Sequence, residues 1–495
     1  MTRLTKAPTS LPGSWNPDTC NMTNRRQFLH GLSTLAGSLI LSACGGGSGG
    51  SSASSIVGGG STPGTATSGG GSATPSTATA TTPTTAASTP SSGDTTSAVT
   101  SVGGSPDGTT IPPATSITDK SGAVWTVVQG VVYVNGAAAG SSWNVSMLLW
   151  YGGMIYQVGT GGQFYVWNTN GLWLACSDPR IAVAATAGTF YGMNGHYDYA
   201  FTPAQILGML QQLRCTIYRV GCVNNATQLY AMANLARTLI PAGVSLFALI
   251  NESMYDSNGN LYASESVAYD QGYSTGAAVA TALMPYGVTM YECGNELTRD
   301  ASIILNSAAA GNQATDFNNT HWPVMRGLMR GLIAGVKSVQ AGALCGINFC
   351  VADIAAADCL WDGTQPDGSS GYPTVRWDLT TWHNYQVFGD IFDIGTDGAS
   401  PGFNLPIYCK ARYGVPFMIT EWNANPEDTE TFRGSYITEQ LGEFYAARTT
   451  DNIRSVMYYE LDSGNDTWGI VTDSGAAIDP PYSAFQSFAD ANADS

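Results

Sequence analysis

From Thr186 onward, apolar strand-like runs alternate with amphipathic helix-like stretches, and no other feature of the sequence limits the fold so strongly. Eight such runs occur: Thr189–Met193, Thr216–Val220, Val244–Ile250, Val288–Cys293, Leu344–Val351, Leu379–His383, Pro416–Thr420 and Ser455–Tyr459. A short, continuously apolar run is what a strand covered on both faces requires, and parallel strands under a helical layer are covered in that way. Helix-like stretches fill most intervals, at Pro203–Leu213, Ala226–Ile240, Ser274–Met284, Trp322–Val339, Tyr436–Thr449 and Pro481–Asp490. Thr202 before Pro203 reads as an N-cap followed by proline in the first turn. The interval containing Leu360–Trp377, rich in Asp, Gly and Pro, reads as a long loop of the kind that lies over active sites. The pattern predicts an α/β fold, a (β/α)8 barrel over residues 186–495.

Two different segments precede it. Residues 117–180 carry β patterning, with Ala123–Val128 and Val131–Val134 around a Gln129-Gly130 turn. Further turns are expected at Asn135-Gly136, Gly152-Gly153 and Gly161-Gly162, which gives a small all-β domain. Trp125, Trp143, Trp150, Trp167 and Trp173 fall within it. Exposed indoles can stack on sugar rings; the reading favoured here is that a small domain fills its core with large aromatics. Residues 45–116 are almost wholly Gly, Ser, Thr, Ala and Pro, too poor in apolar groups to offset ordering entropy, and are expected to form a disordered tether.

Residues 1–44 read as an export signal. Thr23-Asn24-Arg25-Arg26-Gln27-Phe28-Leu29 has twin-arginine form, and the apolar stretch Leu32–Leu41 is too short to remain in a bilayer. Leu41-Ser42-Ala43-Cys44 resembles a bacterial lipoprotein cleavage box, which implies lipidation of Cys44. Gly45 after the cysteine implies an outer-membrane or cell-surface destination, with membrane contact through the lipid anchor only. An ordinary cleaved signal with an incidental cysteine is the alternative.

The net charge of −17, from 36 acidic and 19 basic side chains, argues against nucleic acid as a partner. Only 11% of residues are charged, which fits a neutral partner better than a charged one. Of ten cysteines, Cys176, Cys215, Cys222, Cys293, Cys345 and Cys350 lie in or beside apolar runs, as buried thiols do. Cys359 and Cys409 are the pair to test for a disulfide. With four scattered histidines and no CxxC, no metal site and no cofactor are expected. A monomer is expected.

Barrel enzymes carry their chemistry at the C-terminal ends of the strands. The fourth run leads into Tyr291-Glu292-Cys293-Gly294-Asn295-Glu296, and the seventh into Ile419-Thr420-Glu421-Trp422-Asn423. Two carboxyl groups facing one cleft are what glycosidic cleavage needs: one protonates the leaving oxygen, the other meets an oxocarbenium-like centre. Asn295-Glu296 at strand four with Glu421 at strand seven resembles glycoside hydrolase clan A, retaining barrel enzymes, with family 39-like and cellulase-like members nearest in pattern. The resemblance covers residues 186–495. It implies Glu296 as acid/base, Glu421 as nucleophile, Asn295 at the sugar 2-hydroxyl, and Arg219 beside the nucleophile. His383-Asn384-Tyr385 matches the clan's His-x-Tyr, whose Tyr hydrogen-bonds the nucleophile. Such donors would favour the charged form of Glu421, while Glu296 would need a less polar niche.

Strand eight departs from the pattern. It ends Tyr458-Tyr459-Glu460, where many clan members place a Trp platform, so Tyr459 or Trp468 would have to substitute. His196, Trp382 and Trp422 are further candidate sugar contacts, each with an equally good packing role. Asn251-Glu252 after strand three is a rival acid, disfavoured because no Gly precedes it and its spacing to Glu421 is poorer. Gly272-Tyr273-Ser274-Thr275-Gly276 matches the nucleophile elbow of serine esterases, although no strand leads into it. The implied substrate is a polysaccharide, a bacterial exopolysaccharide or cell-surface glycan; a non-catalytic sugar-binding lipoprotein is the remaining alternative.

Overall fold

The computed structural model describes residues 104–168, 170–181, 188–394, 402–462 and 468–494. The segment read as an export signal, Cys44 and most of the stretch read as a tether lie outside these residues. Among the described residues no helix is long and apolar enough to cross a membrane.

Eight parallel strands close a barrel: β1 (Tyr191–Gly195), β2 (Ile217–Cys222), β3 (Ser245–Ile250), β4 (Met290–Cys293), β5 (Leu344–Cys350), β6 (Leu379–His383), β7 (Phe417–Trp422) and β8 (Ile453–Tyr458). Tyr191 paired with Val456 joins β1 to β8 and leaves no edge. Each strand is followed by a helix: α1 (Pro203–Gln212), α2 (Ala226–Leu239), α3 (Glu265–Leu283), α4 (Trp322–Val339), α5 (Ile354–Asp362), α6 (Leu405–Tyr413), α7 (Glu430–Ala447) and α8 (Pro481–Ala491). The (β/α)8 barrel expected from the alternation is thus observed, with strand ends within a few residues of the apolar runs.

The barrel interior is built in layers. Ile217, Phe247, Met290, Leu379, Met418 and Met457 form an apolar cluster at the bottom. Gly192 sits among them because a Cβ there would lie 2.6 Å from Met457 and 2.7 Å from Ile217. Two residues further along their strands, Asn194, Arg219 and Glu292 point inward at the next level, buried and polar. The alternation of side chains along a strand therefore converts an apolar floor into a polar layer beneath the mouth.

Two antiparallel sheets precede the barrel. One comprises Thr110–Ile111, Val145–Tyr151, Met154–Gly159, Phe164–Trp167 and Trp173–Cys176 in that order; the other comprises Ile117–Thr118, Val124–Val128, Val131–Val134 and Ala137–Ala138. Gln129 and Gly130, like Asn135 and Gly136, have positive φ, which matches hairpin turns to strand twist. Thr110–Ile111 falls in the stretch whose composition reads as tether, yet it pairs with Leu148 and Leu149, and Ile111 is buried. A short strand ahead of Pro112-Pro113 is too little to register in composition.

The strand Val145–Tyr151 is apolar on both sides for a visible reason. Leu148 and Trp150 face a small core shared with Ile117, Trp125 and Val132, while Leu149 joins Tyr156, Val166 and Cys176 against the barrel. Trp167 meets Trp125 and Trp173 edge-on at 5.6 and 4.9 Å, so these indoles serve packing; Trp143 alone of the five is largely exposed, at 71%.

Two expectations are corrected. Cys359 on α5 and Cys409 on α6 are both buried free thiols, not a disulfide. The stretch read as a loop at Leu360–Trp377 begins inside α5, which runs to Asp362, and α6 was not anticipated at all; every residue of α6 is buried, because the first sheet covers its outer side. Ala411 O accepts from Ser177 N–H, and Arg412 donates to Ala175 O. The esterase-like motif, disfavoured for want of a strand before it, lies within a helix: Ser274 is an exposed residue inside α3, which starts at Glu265 under a Ser264 cap. The glycines of that motif let α3 and α4 approach, since a Cβ on Gly272 or Gly276 would meet the α4 backbone at 2.5 or 2.4 Å.

Candidate active site

The polar layer converges on Arg219, buried on β2. Its Nε donates to Glu292 Oε2 at 2.6 Å, Nη1 to Asn194 Oδ1 and Glu421 Oε1 at 2.8 Å each, and Nη2 to Asn295 Oδ1 at 2.9 Å. Burial works against the charge of Arg219, but Glu292 and Glu421 more than offset this and raise its proton affinity above the ordinary value. Asn194 in turn donates to the carbonyls of Thr420, Met457 and Tyr458, fixing the ends of β7 and β8 around the guanidinium.

Glu421 reaches this centre through an irregularity in β7. Pairing shifts between Ile419 and Trp422 on one side and between Trp382 and His383 on the other. As a result two successive side chains enter the interior: Thr420 Oγ1 donates to Glu292 Oε1 at 3.0 Å, and Glu421 meets Arg219. A bulge re-aiming a side chain next to a functional centre is a recurrent device. The Tyr385 hydroxyl donates to Glu421 Oε2.

Glu296 stands on the opposite wall. Gly294 and Glu296 both have positive φ (95° and 48°), and a Cβ on Gly294 would lie 2.6 Å from Leu297. A left-handed glutamate is strained, and the surroundings hold it there. Its N–H donates to Asn348 Oδ1 at 2.8 Å. The following turn is locked by Thr298 and Arg299, which both bond the buried Asp353 beyond β5. Asp353 is pushed up to about 6 because burial outweighs the pairing with Arg299.

His383, fully buried, lies between the two walls: Nδ1 is 2.7 Å from Glu296 Oε1, and Nε2 is 3.4 Å from Glu421 Oε1. Ligand atoms of Glu296, His383 and Glu421 all lie within 4.8 Å of one another. A divalent cation accepts such donors, but the Arg219 guanidinium already holds the cationic position beside Glu421.

Tyr385, Tyr459 and Trp468 form an edge-to-face aromatic group beside Glu421, with centroids 5.2–6.0 Å apart. His196 Nε2 lies 2.7 Å from Oε2 of the buried Glu460, at the β1–β8 side of the mouth. Trp382 and Trp422 are fully buried on the outer face of the barrel, Trp382 against Phe349 and Trp422 against Tyr458 and Phe444. No sugar can stack on either. Glu252 is drawn away to α3, where its carboxylate accepts from Thr275 Oγ1 at 2.9 Å and Gln271 Nε2 at 3.3 Å.

Sequence reasoning passed over Asn194, Glu292, Asn348 and Glu460. A signal existed for Glu292: an ionisable side chain inside the apolar run of a buried strand needs a partner in the barrel.

No family model matches the chain, and no curated protein matches it. Several solved structures are similar to parts of the chain. A GH53 catalytic domain from Ignisphaera aggregans is 13% identical, covering 62% of this chain and 99% of its own, with a TM-score of 0.43. The virulence factor SghA from Agrobacterium tumefaciens is 12% identical over 61% and 97% of the two chains, with a TM-score of 0.44. A family 1 β-glucosidase from Thermotoga maritima is 12% identical over 63% and 99%, with a TM-score of 0.43.

Proposed function

We propose that this protein is a retaining glycoside hydrolase that cleaves β-glycosidic bonds within a polysaccharide. The observation that carries the reading is the pair Glu296 and Glu421, facing each other across the barrel mouth with one carboxylate oxygen of each within 4.8 Å of the other. That spacing suits a double displacement, which needs carboxyl groups about 5–5.5 Å apart, rather than inversion, which needs about 6.5–9.5 Å. The environments of the two carboxylates also differ as the roles require. Arg219 and Tyr385 donate to Glu421, which suits a carboxylate anion, whereas Glu296 faces His383 and is partly open to the mouth.

In the first step Glu421 attacks the anomeric carbon while Glu296 protonates the departing glycosidic oxygen. The C–O bond breaks and a glycosyl ester forms on Glu421. In the second step Glu296 takes a proton from water, whose oxygen attacks the anomeric carbon and releases Glu421. Asn295, held by Arg219, is assigned to the sugar 2-hydroxyl. Tyr385, Tyr459 and Trp468 supply an aromatic wall for the sugar. His196 with Glu460 lies at the flank of the same mouth.

The wider setting belongs to the same proposal. A twin-arginine signal, lipidation at Cys44 and a long Gly/Ser/Thr tether suit an outer-membrane or cell-surface enzyme acting, endo-fashion, on a bacterial exopolysaccharide or cell-surface glycan.

The test is hydrolysis of a glycan panel by the purified protein beside Glu296→Gln and Glu421→Gln, with the anomer of the first product read by NMR. Cleavage with retained configuration, lost in both variants, supports the reading. An inverted product would remove the double displacement. A parent that binds glycans and cleaves none would make the barrel a binding module.

A further inference from the structure

Glu292 takes no part in the two steps above, yet it is a fully buried carboxylate at the centre of the polar layer. An ion in such a place is unfavourable by several kcal/mol unless its partners are excellent, and the partners here all lead to the proposed catalytic groups. Arg219 lies 2.6 Å (Nε) and 2.5 Å (Nη2) from Glu292 Oε2 and gives its remaining amino group to Glu421. Thr420, which donates to Glu292 Oε1 at 3.0 Å, precedes Glu421 in the β7 irregularity. Asn348 donates to Glu292 Oε1 at 3.5 Å and accepts the backbone N–H of Glu296 at 2.8 Å.

One guanidinium is therefore shared by two carboxylates. What it gives to Glu292 it withholds from Glu421, and an anion held less tightly is the better nucleophile. We propose that Glu292 is a positioning residue that sets how strongly Arg219 grips Glu421, keeping that carboxylate reactive while anchoring Glu296 through Asn348. The proposal rests on the glycosidase reading of the site.

The groups facing Glu421 are Arg219 from β2, His383 and Tyr385 from the end of β6, and Glu296 from the end of β4. Those facing Glu292 are Arg219, Thr420 from β7 and Asn348 from β5; the Cys293 thiol, next along β4, lies on the outer face beside Cys345. Removing the charge of Glu292 leaves Arg219 to Glu421 alone, which lowers the proton affinity of Glu421. Removing the Thr420 hydroxyl concentrates Glu292 on Arg219 and acts in the opposite sense.

The experiment is the pH profile of kcat/KM for the full chain, Glu292→Gln and Thr420→Val on whichever glycan the parent cleaves. The acid limb is expected to move down by about one pH unit in Glu292→Gln, with kcat falling more than KM. In Thr420→Val it is expected to move up by less. A limb that stays in place in both variants overturns the proposal, because a purely structural role changes stability and leaves the profile alone. If Glu292→Gln does not fold, Thr420→Val decides by the same criterion. If the parent cleaves no glycan, the glycosidase reading fails while this one is still read by ¹³C NMR titration of the Glu421 carboxyl, identified by its loss in Glu421→Gln; unchanged titration in the variants overturns it.

Discussion

Two Asn-Glu pairs stand at the ends of neighbouring barrel strands, Asn251-Glu252 after β3 and Asn295-Glu296 after β4, and the structure treats them differently. Glu252 is tied to α3 by Thr275 and Gln271. Glu296 is turned into the mouth by a left-handed backbone and meets His383. The dipeptide is the same; what differs is the turn and the neighbours. A glycine at position 294 permits the turn, and Asn348 on β5 holds its N–H. After β3 the nearest donors lie on a helix instead. A carboxylate at a strand end thus becomes available for chemistry only where the following turn is held against the pull of the surrounding polar groups.

The largest expected contrast between the two is in rate. Glu296→Gln should lower kcat by about a thousandfold or more, in the range that loss of a general acid gives, whereas Glu252→Gln should stay within about twofold of the parent. The measurement is hydrolysis of one cleaved glycan by both variants at matched folding. Equal losses in the two would end the distinction.

Next comes the lock behind Glu296. Arg299 and Asp353 form an ion pair with side chains 7% and 0% exposed. Asp353→Asn breaks it and leaves the guanidinium buried without its counter-charge, which should destabilise the fold by about 3–5 kcal/mol. Denaturant unfolding checks this. A change below about 1 kcal/mol would show that the turn bearing Glu296 does not depend on Asp353.

How far the comparison could be read from sequence depends on the kind of signal. The barrel strands were legible because strands buried on both faces are apolar throughout, as in Val244–Ile250 or Leu379–His383. The order of Arg219, Asn295-Glu296, His383-x-Tyr385 and Glu421 along the strands was legible too, because strand ends are fixed once strands are. Helix α6 was not, since a helix covered on every side has no polar stripe, and its Lys410 and Arg412 are buried against backbone carbonyls and acids. The first part of α3, ahead of the helix-like stretch Ser274–Met284, was not legible because Glu265, Asp270 and Gln271 break up its apolar pattern. The inward turn of both Thr420 and Glu421 was hidden as well, because a bulge changes register without changing composition.

The smallest effect is in the pH dependence of stability. Burial raises the proton affinity of Glu252 above its ordinary value of 4.5, with the Thr275 and Gln271 bonds acting the other way. A carboxyl whose folded-state pKa is raised contributes stability fully below its unfolded value, and that contribution is lost as pH rises through the folded value. The parent should therefore lose, as pH rises from the ordinary value of 4.5 through the raised folded-state value, a contribution that Glu252→Gln cannot lose. The glutamine can still accept from Thr275, and the amide of Gln271 can rotate to meet it. Thermal unfolding across this range should show the Tm of the variant rising relative to the parent as pH increases. A difference that is flat in pH would mean that Glu252 pays no burial penalty, and that its distance from the chemistry is set by chain geometry alone. A difference falling with pH would mean that α3 holds the anion tightly, and Glu252 would then be a stabilising cap on that helix instead of a tolerated neighbour of the site.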